Sequence, residues 1–211
     1  MSEQTENILK NWCELVTKQS AIDWEHLPSL GLYMDQVLTL TEEELAVASI
    51  DGVHPITSSM INNYVKDGVL PRPDKKKYSR EHLAILYMVC MMKSQLPLPQ
   101  IAQLMQELKE ENSIEMIYGA FIKRQTEELQ EVADLAAEAD GDRQQLARLA
   151  MEMALEANAR HLAAVQILKS IEQADAAEKT VEKQAAKEEK KEAKSAKKAA
   201  KKAVSESEES A

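Results

Sequence analysis

The chain has 211 residues and a formal net charge of −10, and only 4% of its residues are aromatic. This length suffices for one domain with extensions, and the abundance of Ala, Glu, Leu and Lys predicts an all-α fold with at most a minimal β wing. The N-terminus resembles no signal peptide, no apolar run could span a bilayer, and the two cysteines lack metal-site spacing. We therefore expect a cytoplasmic protein without metal, cofactor or membrane partner.

The first fifty residues predict two helices separated by a break at residues 28–31. The first is an amphipathic helix within residues 1–20 that packs onto the body, with apolar positions Ile8, Leu9, Trp12, Leu15 and Val16. The second begins at Met34 and ends near Ala48. A turn-like link through Asp51-Gly52 and Pro55 then leads to the most informative part of the chain.

A short helix over residues 57–67 is predicted to have one apolar and one polar face. Thr57 can cap its first turn, and Gly68 can end it in a left-handed conformation. The apolar face carries Met60, Ile61, Tyr64 and Val65. The polar face carries Ser58, Ser59, Asn62, Asn63 and Lys66.

An extended basic loop and two further helices follow. Pro71 and Pro73 exclude helix from the loop, which presents Arg72, Lys75, Lys76 and Lys77. Ser79 is a plausible cap for a helix that is apolar nearly all round from Leu83 to Met92, which should form the core. Pro99 at a first helical position starts the next helix.

From Ser113 onward the sequence predicts a long Ala-rich helical hairpin or coiled-coil arm. Its first helix has a seam at alternating spacings of four and three, namely Tyr118, Ile122, Gln125, Leu129, Val132, Ala136 and Ala139. Residues 140–142 are the natural turn. We divide the chain into residues 1–112 (core 34–108), the arm 113–175, and an Ala/Lys/Glu-rich tail 176–211 expected to be mostly disordered or fraying helix.

Several stretches of the central region resemble the MerR-type winged helix-turn-helix. They are Asn63-Tyr64-Val65-Lys66-Asp67-Gly68-Val69-Leu70-Pro71, Lys77-Tyr78-Ser79 and Leu98-Pro99-Gln100-Ile101. An uncharacterised domain-of-unknown-function family of Gram-positive bacteria, itself similar to MerR regulators, is a closer resemblance. Its typical stretches look like Leu32–Val37, Met60–Tyr64 and Lys76–Ser79. The resemblance covers residues 28–108. It departs from MerR proteins at Asn62 and Asn63, where an Arg and a Tyr are usual, and at Lys75-Lys76, which replace a Tyr-Arg pair.

The resemblance and the charge distribution together predict a DNA-binding transcriptional regulator. Residues 52–82 contain six basic and three acidic residues, a basic island in an acidic protein. In a helix-turn-helix, polar side chains of the second helix read base edges, and basic side chains hold phosphates. The expected contacts with double-stranded DNA are Thr57, Ser58, Ser59, Asn62, Asn63, Lys66, Arg72, Lys75, Lys76, Lys77, Tyr78 and Arg80. We expect a homodimer through residues 113–175, as the resemblance implies.

Other readings of the same residues remain open. Asn62 and Asn63 can form an ordinary exposed polar face, the lysine triplet an ordinary solvated loop, and the lysine-rich tail a solubilising segment. The scattered histidines and the lack of a glycine-rich phosphate loop give no support for an enzyme. The alternative function is a helical protein–protein interaction module without sequence-specific DNA binding.

Overall fold

The computed structural model describes residues 3–18, 22–45, 56–139 and 142–208. The protein is 78% helical, with seven α-helices and no β-strand in those ranges, which confirms the predicted all-α class. The helices are α1 (Glu3–Lys18), α2 (Met34–Leu45), α3 (Ser58–Lys66), α4 (Arg80–Met92), α5 (Leu98–Glu111), α6 (Ile114–Glu138) and α7 (Arg143–Glu208). A 3-10 turn, Trp24–His26, lies between α1 and α2.

Local capping chemistry places the helix ends of the central region where the sequence predicts them. The Thr57 hydroxyl accepts a hydrogen bond from Met60 N at 3.2 Å, which satisfies one of the free N–H groups of the first turn of α3. Gly68 ends that helix with φ +75°, the left-handed conformation that glycine adopts without a steric penalty. Pro99 is the second residue of α5, one position later than predicted.

Helix α4 is the centre of the core. Every residue from Leu83 to Cys90 is buried, and the helix contacts α2, α5 and α6. It is buried on all sides because its sequence is apolar nearly all round, as predicted. Burial also raises the pKa of the Cys90 thiol to about 11, so this cysteine is a neutral packing residue.

Helix α1 packs against α6. Cys13 Sγ lies 3.6 Å from the carbonyl oxygen of Ala133, and the Tyr118 hydroxyl donates to the carbonyl of Ile22 at 2.7 Å. The seam predicted for α6 is therefore at least partly covered within the same chain. Its positions Tyr118, Ile122 and Ala136 are buried, and Gln125, Leu129, Val132 and Ala139 are half-buried.

Helix α7 begins after a cap at Asp142, whose carboxylate accepts from Gln144 N at 2.9 Å. Residues 140 and 141 of the predicted turn lie outside the described residues. An ion pair of 3.0 Å between Arg160 and Glu128 links α7 to α6.

The chain divides into two units, Met1–Leu162 and Ala163–Ala211, and the second consists largely of the C-terminal part of α7. Helix α7 continues through the tail to Glu208, and disorder or fraying of this tail stays a prediction. A helix suits its composition, because Ala, Lys and Glu are all strong helix formers and the tail contains no glycine or proline. No helix in the described ranges has the length and apolar character needed to cross a bilayer.

Candidate nucleic-acid interface

Helix α3 presents a continuous polar face to solvent. Ile61 and Tyr64 are buried in the core, which fixes the orientation of the helix about its own axis. The opposite face consists of exposed residues, namely Ser58, Ser59, Asn62, Asn63 and Lys66. The predicted division of this helix into two faces is therefore confirmed. Hydroxyl and amide groups on such a face can both donate and accept hydrogen bonds.

The chain that leaves α3 is held firmly against the helix end. Val69 N and Leu70 N both donate to the carbonyl oxygen of Tyr64, at 2.9 and 3.0 Å. The side chains of Val69 and Leu70 are buried, so this segment is part of the core rather than a loose connection. The basic loop that follows thus starts from a fixed position relative to the polar face.

The lysine triplet forms a tight turn with an unusual backbone. Lys77 N donates to Asp74 O at 2.8 Å, and the two central residues, Lys75 and Lys76, have φ of +46° and +65°. Positive φ at both central positions is the pattern of a type I′ turn, which favours Asn and Gly and is sterically costly for other residues. Both side chains are exposed. The turn therefore places two lysines at its tip at the cost of backbone strain.

A pair of backbone hydrogen bonds anchors the base of this turn to the segment before α2. Leu32 and Tyr78 exchange hydrogen bonds in both directions, at 2.9 and 2.8 Å, as one antiparallel bridge. With the bridge between Asp74 and Lys77, this is the whole β structure of the described residues: two isolated bridges and no strand. The β wing therefore stays a prediction.

Three of the residues predicted to contact DNA have structural roles in the fold. Tyr78 is only 4% exposed and packs edge-on against His82, so its ring belongs to the core beneath the turn. Arg80 Nε donates to Leu27 O at 2.9 Å, and its guanidinium lies 5.6 Å from the ring centroid of Trp24. Thr57 uses its hydroxyl as the helix cap. We therefore remove the Tyr78 and Arg80 side chains from the candidate phosphate contacts.

Lys77 differs from its two neighbours in the triplet. Its Nζ lies 5.3 Å from the centroid of the Tyr33 ring, and its Cβ lies 3.0 Å from the position that a side chain on Gly31 would occupy. A cation over an aromatic face is stabilised by the ring quadrupole, so Lys77 is held across the loop before α2. The sequence did not single out Tyr33 for this role, because the contact joins residues far apart in the chain.

His82 contacts Tyr78 and Ser79, the two residues that follow the lysine turn. The sequence analysis did not predict this role. Its Nδ1 accepts a hydrogen bond from Ser79 N at 3.1 Å and lies 2.7 Å from Ser79 Oγ, so His82 fills the capping-box position of α4 that Glu or Gln usually holds. Burial lowers the pKa of His82, although the backbone carbonyls of Arg72 and Pro71 and the charge of Glu81 act in the opposite direction. The His82 imidazole is therefore harder to protonate than a free histidine side chain.

The exposed basic and polar residues that remain lie on elements that follow one another in the chain. It comprises the polar face of α3, Arg72 in the following loop and the lysine turn. Residues 22–121 match the family model described as a domain of unknown function, DUF1836. The DUF1836 match includes α2 to α5 and the start of α6, so the whole candidate interface lies inside it. No curated protein and no solved structure matches the chain.

Proposed function

We propose that the DUF1836 region of this protein binds double-stranded DNA and that the protein is a transcriptional regulator with a MerR-like headpiece. One observation carries the proposal. The exposed polar face of α3 is followed in the chain, after the buried residues Val69 and Leu70, by a strained turn that exposes Lys75 and Lys76. Strained backbone at a surface position is retained where the exposed side chains have a function. Polyanion contact is the function that adjacent lysines serve most directly.

The two parts of the interface have different tasks in this proposal. Asn62 and Asn63 offer amide groups that can pair bidentately with adenine in the major groove, and Ser58 and Ser59 can donate or accept at base edges. Lys66, Arg72, Lys75 and Lys76 hold phosphates, which fixes the register of α3 on the duplex without reading sequence. Lys77 and Arg80 keep the turn and the start of α4 in place. The missing MerR arginine is compensated by lysines, which supply charge without bidentate geometry.

A second copy of the chain completes the proposed DNA-binding form. One headpiece has about four phosphate contacts, which gives weak binding with a salt slope near −4. Three of the large apolar side chains that α7 exposes lie before residue 163, namely Met151, Leu155 and Leu162, at 58%, 62% and 54%. These positions lie within roughly 40° of one another around the helix, so they form one apolar stripe. We propose that this stripe, rather than the half-covered seam of α6, is the dimer contact within residues 113–175.

Selection from a random pool of DNA duplexes tests the proposal directly. We expect enrichment of an inverted repeat, because two copies related by a two-fold axis bind two equivalent half-sites. On the selected site, Lys76→Ala should reduce the salt slope by roughly one unit for each headpiece. Lys123→Ala removes another exposed lysine, from α6, and is the matched control, for which we expect no change in slope.

The rival function, a protein-interaction module, predicts a different pattern. Two features favour it: the acidic body and the apolar stripe of α7, which could pair with a different protein. In that case no DNA sequence would be enriched, and Lys76→Ala and Lys123→Ala would behave alike. Either result would remove the DNA-binding proposal.

A further inference from the structure

The lysines in the C-terminal part of α7 occupy positions on one side of the helix. Residues 176–211 contain ten lysines, at positions 179, 183, 187, 190, 191, 194, 197, 198, 201 and 202. At about 100° per residue, these positions fall within roughly 140° of the helix circumference, which we call the lysine face. The five glutamates between Glu178 and Glu192 fall within roughly 120° on the opposite side.

This separation of charges costs the helix stability. Between residues 178 and 202, eleven lysine–lysine pairs but two lysine–glutamate pairs stand three or four positions apart. Side chains at these spacings are neighbours on a helix, where opposite charges stabilise it and like charges destabilise it. Elsewhere the chain uses the favourable arrangement, since Arg124 pairs with Glu127 and Glu128 on α6. A helix whose only task was solubility would gain by interleaving its lysines and glutamates.

A polyanion that lies along the lysine face would remove this repulsion. The face extends from Lys179 to Lys202 and is roughly 35 Å long at 1.5 Å per residue. Such a length corresponds to about one helical turn of B-DNA. A duplex carries one negative charge for about every 1.7 Å of its axis, so it supplies phosphates along the whole face.

The composition of the tail narrows the kind of polyanion. A helix that lies on a membrane buries large apolar side chains such as Trp, Phe and Leu, but the apolar residues of 176–211 are alanines and two valines. Single-stranded nucleic acid binds through bases that stack on aromatic side chains, and this segment has no aromatic residue. A duplex keeps its bases stacked inside and its phosphates outside, so lysines alone suffice to hold it.

We propose that the lysine face of α7 is a second DNA-binding site, which contacts the phosphates of a duplex without reading its sequence. Residues 176–211 contain no arginine or asparagine, the side chains best suited to base edges. The choice of DNA over another duplex rests on the proposed function of the headpiece, whereas the choice of a polyanion rests on the lysine face. Such a site holds the protein on DNA of any sequence while the headpiece reaches its operator.

Two variants of the full chain test the lysine face, and both keep the composition and net charge of the parent. The off-face variant combines Ala193→Lys, Lys194→Ala, Ala200→Lys and Lys201→Ala. It moves two lysines to positions roughly 110° and 130° from the centre of the face. It also reduces the number of lysine–lysine pairs, so we expect no loss of helix in circular dichroism.

The on-face variant is the matched control. It combines Gln184→Lys, Lys187→Gln, Lys202→Ser and Ser205→Lys, which moves two lysines along the face instead of out of it. Binding to a duplex of random sequence is followed by fluorescence anisotropy between about 50 and 200 mM salt. We expect the off-face variant to lose roughly two units of salt slope and the on-face variant to match the parent.

The possible results separate this proposal from its rivals and from the headpiece. Equal salt slopes for the parent and both variants would overturn the lysine face, because a tail without helical order attracts DNA whatever the positions of its lysines. Tighter binding to phosphatidylglycerol vesicles, or to duplex RNA of the same length, would overturn DNA as the partner. Failure of the headpiece is a separate result, since it appears as no enriched sequence and no effect of Lys76→Ala.

Discussion

The lysine turn gives the sharpest test of the relation between strain and function in this protein. Replacing Lys75→Asn and Lys76→Gly together supplies the residues that a type I′ turn prefers. Lysine in the left-handed region costs roughly 1–2 kcal/mol per residue, whereas asparagine tolerates it and glycine has no side-chain clash. Glycine offsets about 0.5–1 kcal/mol of the relieved strain, because it loses more conformational freedom on folding than lysine does. The double variant should therefore be more stable by about 1–2 kcal/mol.

Two measurements on the same variant follow from this estimate. For a chain of this length, each kcal/mol raises the Tm by about 2–4 °C, which thermal unfolding followed by circular dichroism resolves. If the turn contacts phosphates, loss of two lysines should lower the salt slope of DNA binding by about two units for each headpiece. The variant thus becomes more stable and binds DNA more weakly, a trade-off expected where strain is retained for function.

The control for this experiment is Lys10→Gln with Lys123→Gln, which removes two exposed lysines from α1 and α6. It has the same net charge as the double turn variant, so any general effect of charge on DNA binding appears in both. A stabilised turn variant with an unchanged salt slope would exclude the turn from the DNA interface. A destabilised variant would show that the two lysines are not strained, and the argument from strain would be lost.

Two further predictions concern the residues around this turn. The depressed pKa of His82 means that the unfolded chain takes up its proton more readily, so His82 destabilises the fold as the pH falls below about 6.5. In His82→Gln the amide oxygen can still accept a hydrogen bond from Ser79 N. The free energy of unfolding in urea should therefore change less between about pH 5 and 7 in this variant than in the unmodified protein. An equal loss of stability at low pH in both proteins would refute this role of His82. Gly68→Ala and Gly119→Ala each place a methyl group where no atom lies within 4 Å, but Gly68 has positive φ and Gly119 is inside α6. We expect Gly68→Ala to lower and Gly119→Ala to raise the free energy of unfolding by about 1 kcal/mol, and equal signs would contradict the backbone explanation.

The features that could be predicted from the sequence depend on neighbouring residues. Thr57 and Ser79 cap the helices that follow them, and Gly68 ends α3, because each effect acts within one turn of backbone. The apolar run of α4 predicts a core helix for a similar reason, since its own composition leaves no polar face. The helical class and the two faces of α3 followed from these local signals.

The features that could not be predicted depend on contacts between distant parts of the chain. Arg80 was expected at a phosphate, but its Nε is held by the carbonyl of Leu27 and its guanidinium by Trp24. The left-handed turn contains no asparagine or glycine, so its sequence does not predict it. Its base is held by the bridge between Tyr78 and Leu32, a residue distant in the chain.

The strongly negative charge of the whole molecule is compatible with the proposed DNA contact, because charges act over short distances at physiological salt. Screening limits the reach of an exposed charge to roughly 8 Å, so acidic residues of α1 and α2 have little effect on a phosphate at the lysine turn unless they lie beside it. On α6 and α7, Glu127, Glu128 and Glu156 are already paired with arginines of the same helices. In the proposed complex, the acidic surface would repel DNA from other orientations, which favours contact through the basic loop that follows α3. Under the proposed function, charge would select the orientation of the protein on the duplex, and the polar face of α3 would select the sequence.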